Sequence, residues 1–201
     1  MSATAVLGRD AMPEWLHSEM PPGYQTRLQE IQRLSADLKE MERFGQLLWR
    51  AGDGLARSVA DTFVSLGFEV IRPDDDQAPV IVLMPERRRL LIHVAASSDV
   101  VQKKSPELTH VFRHLNETAE ASDRVVLILN PSPGLRPAER PAAVGAEALE
   151  LLQRLRANVI TGPSLFSMWQ LSLDDKDRAR RLVDRLHEQD GGLFLGPTVV
   201  R

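Results

Sequence analysis

Apolar residues recur along the chain in two patterns, one typical of amphipathic helices and one typical of buried strands. Over residues 24–50 they fall at heptad a and d positions, while Gln, Arg, Asp, Lys and Glu fill the other faces. The seam consists of Ile31, Leu34, Leu38, Met41 and Leu48, with Gly45 as a weak point in it. The pattern predicts a long helix that either pairs with another chain as a coiled coil or folds onto its own domain.

After Gly52 the pattern changes to short apolar runs separated by helical segments. Three of these runs lie close together in sequence, and the later ones alternate with helices, which predicts an antiparallel meander followed by βαβ crossovers. The predicted strands are residues 68–72, 80–84, 90–95, 124–130 and 159–161, and the predicted helices are residues 55–66, 105–120, 142–156, 165–173 and 175–189. We therefore expect an α/β domain with a mixed sheet flanked by helices.

These patterns divide the chain into four parts. Residues 1–23 contain several Pro and Gly residues without periodicity, which is typical of a flexible tail. The long helix occupies residues 24–50 and the α/β domain residues 51–190. Residues 191–201 form a C-terminal tail or a final edge strand.

The amino-acid composition excludes several kinds of functional site and makes some partners less expected. Hydrophobic residues make up 43% of the 201 residues and charged residues 26%, which allows a substantial core. The absence of Cys rules out disulfides, Cys-ligated zinc and cysteine nucleophiles, and it fits a cytoplasmic location. A net charge of −3 gives no general attraction to nucleic acid. No apolar run approaches the roughly 20 residues needed to cross a bilayer, so we expect no membrane association.

Several segments, taken in order, resemble the restriction-endonuclease-like superfamily, known as PD-(D/E)XK. GFEV at residues 67–70 is similar to the turn that closes its first helix, and LLIHVAAS at residues 90–97 occupies the place of its strand ending in E-V-K-G. RVVLILN at residues 124–130 and VITGPSLFSMW at residues 159–169 resemble later elements of bacterial members. The resemblance covers roughly residues 48–173 and implies a restriction-endonuclease-like fold.

The family's chemistry needs carboxylates around a divalent metal, usually Mg²⁺, together with a nearby Lys. Carried over to this chain, the strand Glu falls on His93 and the Lys on Ala95. The family's Asp falls on Pro79 or Val80, and the acid of the first helix near Ala56. The resemblance therefore implies a degenerate site, for which we expect neither a bound metal nor a cofactor.

Other residues keep alternative functions open. Asp74, Asp75 and Asp76 form an acidic turn that could hold a relocated metal site, although such a turn is more often solvated. Candidate nucleic-acid contacts are Arg87, Arg88, Arg89, Lys103 and Lys104, whose simpler interpretation is a solvated hairpin tip and a solvated helix entry.

Two further patterns favour structural roles. His110 and His114 have the i,i+4 spacing of a helical metal pair, but without an adjacent acid we expect two exposed histidines. Acids alternate with Arg178, Arg180, Arg181 and Arg185 along the last helix, so we expect i,i+4 ion pairs there rather than a basic stripe for DNA.

The sequence thus predicts a catalytically inactive nuclease-like domain that acts as an interaction or regulatory module. A protein partner or a second copy would bind the N-terminal helix. The alternatives are a DNA-binding protein that does not cut and, third, a metal-dependent nuclease with a relocated site.

Overall fold

The computed structural model describes residues 15, 19–73 and 78–197. Contacts divide the chain into two compact units, Met1–Met41 and Glu42–Arg201. The helices are α1 (Tyr24–Gly45), α2 (Gly52–Ser65), α3 (Pro106–Glu117), α4 (Ala146–Arg154), α5 (Gly162–Asp174) and α6 (Lys176–Glu188). The strands are β1 (Glu69–Ile71), β2 (Val80–Leu83), β3 (Arg89–Ser97), β4 (Arg124–Pro131), β5 (Asn158–Thr161) and β6 (Gly192–Leu193).

The six strands of the described chain form one mixed sheet in sequence order, from β1 to β6. The first three strands pair antiparallel, and β3 to β6 pair parallel. β3 and β4 are the long central pair, and their almost continuous apolar sequences suit strands that are covered on both faces. The predicted α/β mixed sheet flanked by helices is therefore confirmed.

Two hydrophobic cores lie on opposite faces of this sheet. One contains apolar residues of α2, α5 and α6, among them Phe63, Met168 and Val183. The other contains residues of α3 and α4, such as Leu108 and Leu152. Because side chains alternate along a strand, neighbouring residues of β3 and β4 contribute to different cores.

The α/β unit begins inside the predicted N-terminal helix. The α-helix α1 ends at Gly45, a poor helix former, and a 3₁₀ turn follows at Gln46–Leu48. Phe44 and Leu47 are buried, and the ring of Phe44 stacks on Trp169 of α5 at 4.5 Å between centroids. The last turn of α1 is thus part of the compact α/β unit rather than a separate segment.

Buried polar contacts hold the segment after α1 against the sheet. Asn130 at the end of β4 donates a hydrogen bond to the carbonyl of Arg50 at 2.9 Å and accepts one from Arg140 at 2.6 Å. Arg140 also donates to the carbonyl of Leu48. Gly162 allows the 3₁₀ turn to approach α5 closely, because a Cβ at this position would lie 2.3 Å from the carbonyl oxygen of Leu47.

At the C-terminal end of the described chain, β6 pairs with β5 as a short edge strand. The phenyl ring of Phe194, directly after β6, is buried in the core beside α5 and α6. Of the two interpretations of the final segment, the edge strand is therefore the correct one for residues 192–193. None of the helices in the described chain has the length and apolar character needed to traverse a bilayer.

Candidate functional site

A cavity of about 140 Å³ lies where β3 extends beyond the start of β2. Its walls include Ala56 of α2, Val80 at the start of β2 and His93 of β3, which are three of the positions expected from the nuclease resemblance. Asp53 and Arg72 also line it. The segment 74–77, with the acidic turn Asp74, Asp75 and Asp76, lies outside the described residues.

The carboxylate of Asp53 in this cavity is already paired with arginines. Among the described residues that line it, Asp53 is the one carboxylate, and it forms ion pairs with Arg72 and, at 2.9 Å, with Arg57. The hydrogen bond from Arg72 is the main cause that holds the pKa of Asp53 below its usual range. A hard cation needs several oxygen ligands, whereas the described lining of this cavity offers one carboxylate, which two guanidinium groups already bind.

The strand register places Val80 and His93, two of the positions expected from the nuclease resemblance, on opposite faces of the sheet. Val80 pairs with Ile92, and both belong to the core that faces α2. The ring of His93 lies on the opposite face and stacks on His110 of α3, with 4.6 Å between ring centroids. Two positions are considered for the family's Asp. By strand alternation, Pro79 lies on the same face of the sheet as His93, whereas Val80 lies on the opposite face.

Three histidines meet between β3 and α3. The ring of His114 lies 5.7 Å from that of His93, and His114 is only 2% exposed. The expectation that His110 and His114 are exposed is therefore wrong. α3 packs on β3 through the face that carries Leu108 and Val111, and His114 lies on the same face.

Burial favours the neutral form of two of these imidazoles, those of His93 and His114. Desolvation, with smaller contributions from His110 and His114, lowers the pKa of His93 to about 4. Desolvation also lowers the pKa of His114. Within the described residues, His110 Nδ1, His114 Nε2 and Glu107 Oε2 are buried without a hydrogen-bond partner.

The histidine cluster is not arranged as a metal centre. The rings of His93 and His110 are within 13° of parallel, so they face each other rather than converge with their nitrogens on one point. In the described parts of the chain, no group of three or more His, Cys, Asp or Glu side chains is placed to hold a metal ion. The i,i+4 spacing of His110 and His114 indicates from the sequence that these two side chains lie close together. The contact of both with His93 depends on the packing of α3 on β3.

The long N-terminal helix presents an apolar seam to solvent. Ile31, Leu34, Leu38 and Met41 are 61%, 47%, 60% and 52% exposed. Across the whole of α1, which is fully described, Phe44 is the one buried residue. Leu48 differs from the other seam residues, because it lies in the 3₁₀ turn and is half-buried.

The polar face of α1 carries its own ion pairs. Arg33 binds Glu30 at 2.8 Å and Asp37 at 3.1 Å. All three side chains are largely exposed, so these pairs contribute little to stability. They flank the apolar seam and leave its four exposed side chains uncovered.

The basic candidates do not form one surface. Arg89 binds Asp123 through two hydrogen bonds, at 2.6 and 3.0 Å, and Arg88 forms an ion pair with Asp184 at 3.6 Å. Of this run, Arg87 has an exposed side chain and no ion pair with the described residues.

Lys103 and Lys104 are exposed and follow the far end of β3. Nine residues of strand, roughly 30 Å, separate them from Arg89. A single phosphate group could not contact both ends of this strand. The candidates therefore form two basic patches, and one nucleic acid would contact both through different phosphates.

The last helix also departs from expectation. Within the described residues, its arginines form no i,i+4 ion pair, and its Asp184 binds Arg88 of the hairpin instead. The Asp175 carboxylate accepts a hydrogen bond from the backbone of Arg178 and so caps α6. Arg180 lies over the ring of Phe68 at 5.5 Å. Asp175 and Asp184 thus serve a cap and a tertiary contact, which linear spacing does not reveal.

Comparison with known proteins adds no relative. No protein-family model matches the chain, no curated protein matches it, and no solved structure matches it.

Proposed function

We propose that the protein is a catalytically inactive, restriction-endonuclease-like domain that acts as a protein-interaction module. It associates with a second copy of itself through α1. The nuclease resemblance supplies the fold hypothesis, and the exposed surface of α1 supplies the interaction.

The observation that carries the proposal is the seam of Ile31, Leu34, Leu38 and Met41. Four large apolar side chains at a and d spacing, each about half exposed, are costly for a helix that remains alone in water. Isolated helices are also marginally stable, and a partner that covers the seam supports them. Pairing therefore removes an apolar stripe from water and stabilises the helix in one step.

A second copy fits this seam because heptad positions are self-complementary. An a or d side chain of one helix enters a hole formed by the same kinds of side chain on the other. Residues 31–41 cover fewer than two heptads, so we expect a weak dimer with a dissociation constant in the micromolar range.

Two features support the absence of catalysis at the family's site. Among the described residues that line the cavity beside β3, Asp53 is the one carboxylate, and it is bound by Arg57 and Arg72. Ala95, at the position of the family's Lys, has a methyl group that can neither stabilise charge nor position water. Phosphodiester hydrolysis through two-metal or one-metal chemistry needs more oxygen ligands than the described residues of this cavity supply.

Light scattering coupled to gel filtration tests the interaction. We expect the wild-type mass to rise from 22.5 kDa towards twice that value as the loading concentration increases. The variant Ile31→Asp, Leu34→Asp, Leu38→Asp should remain monomeric, because association would bury unpaired carboxylates. A matched control, Gln29→Asp, Gln32→Asp, Ala36→Asp, adds three Asp residues to the other faces of α1 and should dimerise like the wild type.

Circular dichroism of all three proteins checks that the α/β unit remains folded. A wild-type protein that stays at 22.5 kDa at every concentration would refute self-association. Equal dissociation of the seam variant and the control would show that added charge, rather than the seam, is responsible.

A further inference from the structure

A basic groove runs beside α6 and the segment that follows β6. It has a volume of about 310 Å³ and is lined by three arginines, Arg178, Arg181 and Arg185. Leu182 and Leu195 supply apolar walls. The groove lies within the α/β unit and does not involve α1.

The three arginines are exposed. Within the described residues, none of them forms an ion pair, whereas Arg88, Arg89 and many other arginines do. No acidic side chain of the described chain lines the groove. The described lining therefore carries a local excess of positive charge, although Asp177, Asp184 and Glu188 lie on the same helix.

The spacing of these arginines defines a regular acceptor. Positions 178, 181 and 185 have i, i+3 and i+7 spacing, so they share one face and span about 10 Å along the helix axis. Each guanidinium can bind a carboxylate through two parallel hydrogen bonds. A ligand with carboxylates at a similar repeat could engage all three.

The apolar walls of the groove favour an acidic peptide over a single-stranded nucleic acid as its ligand. Leu195 is 75% exposed, and Leu182 lies between the arginines on the same helix. Single-stranded nucleic acids gain affinity by stacking bases on aromatic side chains, and the described lining of this groove contains none. Aliphatic side chains beside carboxylates are instead typical of an acidic amphipathic peptide.

We propose that the groove formed by Arg178, Arg181, Arg185, Leu182 and Leu195 binds an acidic amphipathic segment of a partner protein. Carboxylates of the partner bind the arginines, and its aliphatic side chains cover the leucines. This site lies in the α/β unit and is proposed separately from self-association through α1.

Fluorescence anisotropy with defined probes tests the groove. The first probe is a labelled peptide with Glu at positions i, i+3 and i+7 and Leu on the adjacent face, and the second replaces each Glu by Gln. The third probe is a labelled single-stranded oligonucleotide. We expect the wild-type protein to bind the Glu peptide at least tenfold more tightly than the other two probes, with affinity that falls as salt screens the charges.

Matched variants assign the binding to this surface. Arg178→Glu, Arg181→Glu, Arg185→Glu should weaken binding of the Glu peptide at least tenfold. Arg27→Glu, Arg136→Glu, Arg154→Glu makes the same change in net charge at exposed arginines elsewhere and should weaken it less than threefold. Leu195→Ser should weaken binding without changing the salt dependence, because it removes only an apolar contact.

Three results would overturn the proposal. Equal binding of the Glu and Gln peptides would show that the arginines do not select carboxylates. Tighter binding of the oligonucleotide would assign the groove to nucleic acid. An equal loss of binding in both charge-reversal variants would mean that general charge, rather than this groove, attracts the peptide.

Discussion

The residue at the centre of the sheet with the most unusual environment is His93. Its imidazole stacks on that of His110 and lies 5.7 Å from that of His114, measured between ring centroids. Stacked imidazole rings pack as flat groups with little polar surface between them. His93 therefore belongs to the interface between β3 and α3.

The burial of His93 makes stability depend on pH. The unfolded chain protonates His93 near the ordinary pKa of 6.5, whereas the folded protein keeps it neutral down to about pH 4. The unfolded state thus binds more protons in this window, and stability falls as the pH falls from 6.5 to 4. A shift of this size corresponds to roughly 3 kcal/mol.

We predict that His93→Phe, which keeps an aromatic ring but cannot be protonated, removes this part of the acid sensitivity. Urea unfolding at several pH values measures it. Between pH 7 and pH 4 the wild type should lose roughly 3 kcal/mol more than the variant. Parallel losses in the two proteins would show that His93 is not buried as a neutral group.

Gly162 tests a second residue-scale contact, the close approach between α5 and the turn after α1. We predict that Gly162→Ala lowers the free energy of unfolding by about 2 kcal/mol or more, because the new methyl group would meet the Leu47 carbonyl at 2.3 Å. Gly134→Ala is the control, since a Cβ there has no neighbour within 4 Å. A neutral Gly162→Ala variant in urea or thermal unfolding would mean that the turn does not dock on α5.

At the scale of the element, α1 combines an attractive seam with repulsive edges. The positions beside the seam, e and g of the heptad, carry Glu30, Asp37 and Glu42 and no basic residue. When two copies pair, these acidic edges approach each other in either orientation of the helices. The dimer should therefore be weaker than its apolar seam alone would make it.

We predict that Asp37→Asn, Glu42→Gln tightens self-association about two- to fivefold, because each relieved like-charge pair contributes a few tenths of a kcal/mol. Added salt should tighten the wild-type dimer in the same direction. Glu19→Gln, Glu40→Gln removes the same charge away from the seam edges and should change little. Sedimentation equilibrium measures all three proteins, and weaker association of the first variant would contradict the arrangement.

At the scale of the whole molecule, the sequence predicted the layers of the fold but not the details of its sites. Apolar runs such as RVVLILN and LLIHVAAS are long and uniform enough to indicate central strands, and the meander followed by crossovers indicated a mixed sheet. Helix ends were less well predicted, because tertiary contacts of Phe44 and Leu47 decide where α1 joins the α/β unit.

The sites depend on proximity that the linear sequence does not contain. Nothing near His93 in sequence indicates His110 or His114, which reach it only when α3 packs on β3. The face to which Val80 points likewise follows from its pairing with Ile92. Linear spacing suggested ion pairs along α6, but Asp175 and Asp184 make other contacts, and the arginines of the basic groove form no ion pair with the described residues.

The whole-molecule claim is that two copies meet along the α1 seam, and site-specific cross-linking tests it most directly. The chain has no Cys, so a single introduced thiol reports one position without background. The seam variants are Leu34→Cys and Leu38→Cys, and the outer-face controls are Gln32→Cys and Lys39→Cys. Disulfides form only when two Cα atoms come within about 7 Å.

Under mild oxidation at micromolar concentration, we expect covalent dimers from the seam variants and little from the controls. Parallel helices should cross-link each seam variant with itself, whereas antiparallel helices should cross-link a mixture of Leu34→Cys and Leu38→Cys. Non-reducing electrophoresis reads the result as a band at twice 22.5 kDa. Equal cross-linking at seam and outer positions, or none at the seam, would contradict the account.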